Sequence, residues 1–482
     1  MKLHFIEEPL LEFGTNTHVC PRAGITQYQV YDIKFDDRRD KLYVGAVGTS
    51  DNLVRLKEWM ERCSNFIPAK LNVKQPNLFP PFCGVNAESG FRATLIQEDR
   101  ITRTLSNSDI NNVLRIDNWN QRVEAAIALY SPQINFLYKH RNVDVVVCVI
   151  PDELYDKVVR EEDAVPTEET IEEAPEEEEQ DFLEINFRRA LKAKTMSFRQ
   201  SRPLQLLRER SLNTTGKELQ DEATKAWNFA TALYYKANQT VPWKLVTNIN
   251  RPAVCFVGIG FYRSRDRKIL HTGLAQIFDE LGNGVILRGK TPVLPDKKDL
   301  GPHLTDQQAY DLLIEAMSEY EVALNTIPGR LVVHKSSNFN AAEIQGFKEA
   351  TKAMRIRTVD FVTIMDTRYR LFRKGIYPPY RGTHIELDRN THLLYTRGAV
   401  KYYRTQTSKY IPQPIEIRIV ESAESPGIIC SEILSLTKMN WNNTQFDGKY
   451  PITISCARRV GHIMKYIASG EGEPQINYSY YM

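Results

Sequence analysis

What this chain of 482 residues lacks narrows its chemistry before any motif is read. No stretch approaches the roughly 20 consecutive apolar residues of a membrane-spanning helix. The opening MKLHFIEEPLLEF carries acids where a secretory leader needs a basic and then an apolar run. The expectation is a soluble, cytoplasmic protein. Its seven cysteines stand singly, without a C-x-x-C pair and mostly in apolar company. They read as reduced core thiols, which argues against a disulfide framework and against a zinc site. Acids are thinly spread except in one place: residues 161–180 hold eleven of them and no Lys or Arg. The formal net charge of +3 therefore hides a remainder at +14, basic enough to suit a polyanion.

The length allows roughly two to four domains with real cores. Residues 1–100 alternate turn signals with short β-type runs, QYQVYDI and KLYVGAVG. An amphipathic helix over Asn52–Cys63 follows, then the turn LFPPFCG and the strand-like FRATLI. This is a mixed α/β segment expected to pack against what comes after it. Residues 101–247 open with a helical run, NNVLRIDNWNQRVEAAIALY, and then the strand VDVVVCVIP. An unbroken Val/Ile run of that kind belongs to a sheet buried on both faces. The acidic stretch 161–180 interrupts this domain as a surface loop, or alternatively mimics nucleic acid over a basic groove.

The residues that follow the loop carry the most specific chemistry. Arg188 and Lys192 are four apart and share a helix face beside helix N–H groups, Gln205 follows a proline in an extended run, and Lys236 ends a long amphipathic helix. The four can converge on one anion; the alternative is a solvated basic helix face. From residue 248 to 482 the pattern changes. PAVCFVGIGFYR, RKILHTGLAQIFD and GVILRG read as a meander of strands. Next come a helix over TDQQAYDLLIEAMSEYEVAL, the strand GRLVVHKSS, the helix NAAEIQGFKEATKAM and the strand-like VDFVTIM, THIEL, HLLYTR, AVKYYRT and PIEIRIV. The helices SEILSLTKMN and ISCARRVGHIMKYI close the chain. Antiparallel strands, a crossover helix and a further strand resemble the ribonuclease H arrangement.

Taken in order, EEPLLEFG with CPRAGI, AWNFATALYYKA with PWKL, YPPYRGT and LTKMNWNNTQFDGKYPITI resemble the short prokaryotic Argonautes, which consist of MID and PIWI domains. The resemblance runs nearly end to end. It implies an α/β fold with a Rossmann-like MID domain followed by a ribonuclease H-like PIWI domain. It also implies a pocket for the 5′ phosphate of a guide strand at Arg188, Lys192, Gln205 and Lys236. Charge-assisted donors suit a terminal phosphate, and a guanidinium offers two parallel N–H groups where a lysine offers a point charge. Arg188 stands where relatives often carry Tyr or His, so contact with the first guide base would come from a guanidinium plane. Relatives also imply Mg²⁺ at that phosphate, held by Gln205 and the terminal carboxylate at Met482.

Slicing by such a fold needs several carboxylates around two metal ions. The positions where the resemblance expects them hold Gly260, Ser336 with its neighbours Lys335 and Ser337, and Asn440. None is an anionic ligand, so the chain is expected not to cleave. The alternative is a metal-dependent guide-directed nuclease whose site is rebuilt from Glu386, Asp388 and Asp266, although DRN between two strand-like runs also reads as a hairpin turn. His334 and His384 read as structural histidines. Basic residues interleaved with aromatics in YRSRDRK, RYRLFRKGIYPPYR and KYYRTQTSKY suit phosphate tracking and stacking. Lys438, Asn440, Trp441, Arg458 and Arg459 are expected near nucleic acid. By resemblance, the partners are a guide RNA, a single-stranded DNA target and an effector protein with an APAZ region, carrying a TIR or sirtuin-like NADase or a nuclease. Target recognition would activate that effector in antiviral or antiplasmid defence.

Overall fold

A computed structural model of the chain describes residues 1–71, 73, 76–159, 185–213, 221–246, 250–266, 268–278, 284–289, 292–293, 302–375, 378–403, 411–445, 448–467 and 475–482, with backbone alone at 273–278 and 284–285. The acidic stretch 161–180 lies outside the described residues. So do Arg267, Ile376, Tyr377 and residues 404–410 of the basic and aromatic motifs. Among the described residues no helix is long and apolar enough to cross a membrane.

The first half runs β1 (Lys2–Phe5), β2 (Leu11–Glu12), β3 (Thr17–His18), α1 (Pro21–Tyr28), β4 (Lys41–Gly48) and α2 (Ser50–Cys63). It continues through β5 (Thr94–Ile96), β6 (Thr102–Thr104), α3 (Asn107–Leu114), α4 (Trp119–His140), β7 (Val145–Ile150) and α5 (Asp152–Val158). Then come α6 (Phe187–Met196), β8 (Leu204–Arg208), α7 (Glu222–Asn238) and β9 (Lys244–Leu245). A five-stranded parallel sheet orders these as β5-β4-β7-β8, with β6 also on β4. All six residues of β7 are buried, as a central parallel strand with helices on both faces requires.

The second half runs β10 (Val254–Arg263), β11 (Leu270–Phe278), β12 (Gly284–Ile286), β13 (Pro292–Val293), α8 (Asp306–Leu324), β14 (Arg330–Lys335), α9 (Ala341–Ala353) and β15 (Thr358–Asp366). It ends with β16 (Thr383–Glu386), β17 (Thr391–Leu394), β18 (Ile415–Glu421), α10 (Pro426–Leu436) and α11 (Ile452–Met464). The large sheet orders them β1-β16-β17-β18-β15-β14-β10-β11-β12, with β13 on β11. Strands β10, β14 and β15 are parallel, so their carboxyl ends share one edge; β11 and β18 flank them antiparallel. This is the ribonuclease H-like arrangement that the order of strand and helix signals implied.

Residues 1–100 do more than pack against the two domains. β4 sits inside the parallel sheet, β1 forms the edge of the large sheet against β16, and β2 joins β3 and β9 in a small sheet of its own. Two local expectations fail for identifiable reasons. The β-type run QYQVYDI is the end of α1 followed by a 3-10 turn over Tyr31–Lys34, because Pro21 presets the first helical turn upstream of it. The single helix expected from Ile110 is two, α3 and α4, since Asn118 accepts a hydrogen bond from the Gln121 N–H and starts the second helix afresh. The strand expected at AVKYYRT is not one over 399–403, where only Ala399 makes an isolated bridge, to Tyr380.

Candidate anion pocket and nucleic-acid interface

The pocket is assembled from three elements of the parallel domain and one of the large sheet's helices. Asn186 caps α6, its side chain accepting from the Arg189 N–H, and its own N–H donates to the Tyr466 hydroxyl at 2.9 Å. Arg188 lies in the first turn of α6 and Lys192 one turn on. Cations there sit at the end of a helix dipole that favours an anion. Gln205 is on β8, and Lys236, 1% exposed, is in the last turn of α7. The Lys236 ammonium donates to Gln205 Oε1, and the Lys192 ammonium donates to the backbone oxygen of Met482. The tail that brings Met482 there is buried: Tyr480 donates to the Ser201 carbonyl at 2.9 Å and Tyr481 to the Gln475 carbonyl at 2.9 Å.

The structure thus brings Arg188, Lys192, Gln205, Lys236 and Met482 together. It adds Arg459 of α11, whose charge acts on both lysines. Burial first, then Arg188 and Arg459, push the Lys236 ammonium down to about 7. Burial, then Lys236, Arg188 and Arg459, push Lys192 well below the usual lysine range. Three unfavourable features coincide here: buried ammonium groups, like charges together, and cations at a helix amino end. A bound anion relieves all three. The same charges bear on the expected Mg²⁺. Its two expected protein ligands, Gln205 Oε1 and the Met482 oxygen, each already accept from an ammonium among four cations, a donor set that does not fit a divalent metal on its own.

At the carboxyl edge of the large sheet, Gly260 on β10 lies under α11. A Cβ at 260 would stand 3.1 Å from the Ala457 Cβ, and one at Gly258 would stand 2.2 Å from the Thr453 carbonyl oxygen. The paired glycines let the helix seat on the strand. Ser336 follows the end of β14, and beside it Lys335 is fully buried against Glu343, with Nζ–Oε distances of 2.7 and 2.9 Å. Glu343 also closes the capping box of α9 with Asn340. Asn440 hydrogen-bonds within its own loop, its side-chain amide donating to Asn443 Oδ1 and accepting from the Asn442 N–H. The carboxylates of the alternative site do not converge. Glu386 on β16 faces Lys2 and His4, Asp388 caps the β16–β17 turn through the Asn390 and Thr391 N–H groups, and Asp266 caps the β10–β11 turn. Strands β18, β15 and β14 stand between those turns. His334 is buried, its Nδ1 2.9 Å from the Thr453 hydroxyl, and burial lowers its pKa to about 3. His384 pairs with His392 at 3.1 Å, and burial lowers its pKa to about 4.

Two expected nucleic-acid contacts are corrected. Lys438 is 0% exposed; its ammonium donates to the carbonyls of Pro9 and Val19, both at 2.7 Å, and pairs with Glu8 at 3.0 Å. Trp441 is also 0% exposed; its indole donates to the Trp243 carbonyl at 3.0 Å while the Trp243 indole donates to the Lys438 carbonyl at 3.1 Å. Lys438 ties the end of α10 to the N-terminal segment, and Trp441 ties the loop after it to the segment following α7, so neither side chain is presented to a strand in solvent. Arg458 is exposed, stacked 4.2 Å from the Tyr450 ring centroid.

No protein-family model matches the chain, and no curated protein matches it. Solved structures do. An Argonaute of Clostridium butyricum bound to a guide DNA and a 19-mer target DNA is similar over 97% of this chain and 53% of its own, with a TM-score of 0.65 and 14% identity. An A. aeolicus Argonaute is similar over 99% and 54%, with a TM-score of 0.58 and 17% identity. A Marinitoga piezophila Argonaute in complex with 5′ OH guide RNA is similar over 95% and 58%, with a TM-score of 0.54 and 12% identity. The chain spans a little over half the length of these proteins. It has the Argonaute MID–PIWI architecture, its second half being ribonuclease H-like.

Proposed function

We propose that this chain is the recognition subunit of a guide-directed defence system, resembling the short prokaryotic Argonautes. It holds the 5′ phosphate of a short guide, an RNA, at Arg188, Lys192, Gln205, Lys236 and Arg459, and pairs that guide with a single-stranded DNA target. Sequence is read by base pairing, and the protein addresses phosphate and shape. The observation that carries this reading is the convergence of four cations with two depressed lysines in one pocket, on a fold whose solved examples are described with guides and targets.

The chain acts without slicing. Gly260, Ser336 and Asn440 offer no carboxylate, and Gly260 is roofed by Ala457. Target recognition is transmitted to an effector with an APAZ region, joined to an NADase of TIR or sirtuin-like type or to a nuclease, which acts on the invaded cell. The phosphate is neutralised by side-chain cations, so chelation with EDTA leaves guide binding intact.

The test compares 5′-phosphorylated and 5′-hydroxyl guides. Lys192→Ala with Lys236→Ala weakens binding of the phosphorylated guide by about tenfold to hundredfold, the scale of lost charged hydrogen bonds, and leaves the hydroxyl guide near wild type. Equal weakening of both puts the 5′ end elsewhere. Target cleavage by the purified chain with Mg²⁺ or Mn²⁺, lost on Glu386→Ala, supports the nuclease reading instead.

A further inference from the structure

A second anion seat lies at the carboxyl edge of the large sheet, and one of the protein's own carboxylates fills it. Asp366 is the last residue of β15, at the edge shared by the ends of β10 and β14, where ligands of parallel sheets sit. Its Oδ1 accepts from the Tyr450 hydroxyl and lies 2.8 Å from the Lys449 ammonium, and its Oδ2 lies 4.0 Å from the Arg458 guanidinium. Arg458 follows Ala457, the residue packed over Gly260.

The seat is built rather than incidental. The Lys449 carbonyl is fixed by the Thr396 hydroxyl at 2.6 Å, the Tyr450 carbonyl by the Ser455 hydroxyl at 3.3 Å, and the Arg458 guanidinium by stacking on Tyr450. It is also open, since the Asp366 side chain is 51% exposed and that of Arg458 40%. The adjoining segment 367–375 carries Arg368, Arg370, Arg373 and Lys374 and no acid, with Tyr369 and Phe372 facing solvent. Asp366 is therefore the one acid of the stretch 366–375, which is otherwise suited to a polyanion. Burial alone would raise its pKa, but hydrogen bonds from Lys449 and Tyr450 and the charges of Lys449 and Arg458 hold it below the usual carboxylate range, so it is ionised at neutral pH.

We propose that Lys449, Tyr450 and Arg458 form a seat for a phosphodiester of the bound nucleic acid, which Asp366 occupies until a strand displaces it. The donors that grip a carboxylate, an ammonium, a phenol and a guanidinium, are those that grip a phosphate oxygen. Loading a strand exchanges one anion for another, so Asp366 works as a gate: weakly bound strands fail to displace it. This rests on the guide-directed reading for the identity of the polymer, not for the existence of the seat.

The test uses the full chain, a 5′-phosphorylated RNA guide and a complementary single-stranded DNA, with affinity measured across a salt series. Asp366→Ala tightens strand binding by about threefold to tenfold, the scale of one exposed ion pair or somewhat more, and steepens the salt dependence by about one counterion. Arg458→Ala and Lys449→Ala do the reverse. Asp366→Asn keeps the shape and removes the charge, which guards against a folding defect in the alanine variant. Unchanged or weaker binding by Asp366→Asn at wild-type thermal stability overturns the gate and makes Asp366 a structural ion pair only. If Asp366→Asn binds more tightly while 5′-phosphorylated and 5′-hydroxyl guides bind alike, the seat stands and the guide-end reading falls.

Discussion

Arg458 and Arg459 are neighbours on α11 and act on different groups. Successive residues on a helix point about 100° apart. Arg458 stacks on Tyr450 beside Asp366, while the charge of Arg459 reaches Lys192 and Lys236. One turn of helix thus touches both the candidate guide-end pocket and the sheet edge. Arg459→Ala is expected to cut the preference for a 5′-phosphorylated guide by about tenfold, and Arg458→Ala to leave that preference intact while weakening strand binding generally. Competition between the two guide types against each variant checks it.

The depressed lysine makes guide binding depend on pH. Lys236 releases its proton near pH 7 in the free protein, against 10.5 for an ordinary lysine, and a phosphate favours the protonated form. Affinity for the phosphorylated guide therefore falls as pH rises from 7 to 9, approaching about tenfold per pH unit if this proton alone is taken up. The hydroxyl guide shows a shallower profile. The stability contribution has the opposite slope: between 7 and 10.5 the unfolded chain holds this proton and the folded chain does not, so stability of the free protein from this group rises with pH. Guide titrations at several pH values, alongside melting curves of the free protein, test both signs.

The sequence carried the order of strands and helices well, because long periodic segments such as α8 with its Thr305–Gln308 capping box and the all-buried β7 are locally self-consistent. For Arg188, Lys192, Gln205 and Lys236, spacing allows convergence on one anion but leaves a solvated basic face open; the family pattern sets them in one pocket, since they lie on three elements whose packing no spacing rule predicts. Arg459 was weighed together with Arg458, and the phase of α11 over Gly258 and Gly260 is what separates them. Lys438 and Trp441 misled because a lysine beside a tryptophan in a polar loop reads as a surface. Their burial depends on Glu8 and Trp243, some 430 and 198 residues away along the chain.

That burial has its own consequence. Trp441→Ala empties a fully buried site between the two halves and costs about 3–5 kcal/mol. Lys438→Ala leaves the Pro9 and Val19 carbonyls without this donor. Both variants are expected to lower the melting temperature by several degrees. At temperatures where they remain folded, the ratio of affinities for phosphorylated and hydroxyl guides stays at the wild-type value. A selective loss of guide binding at unchanged stability would return these residues to the nucleic-acid surface.

Placing a carboxylate at 260 is expected not to create a cleavage site, for a steric reason. An aspartate at 260 places its Cβ 3.1 Å from the Ala457 Cβ, and α11 cannot rise easily because Gly258 seats the same helix against the Thr453 backbone. Gly260→Asp therefore costs about 1–3 kcal/mol by overpacking against Ala457. With Ser336 in place there is no second carboxylate at the end of β14, so cleavage of a guide-paired DNA with Mn²⁺ stays at background in Gly260→Asp; with Ser336→Asp added it stays at background because the crowding by Ala457 at 260 remains. Measurable slicing by the double variant, with a melting temperature at or above wild type, would show that the edge retains the geometry of a metal site and that only its side chains were lost.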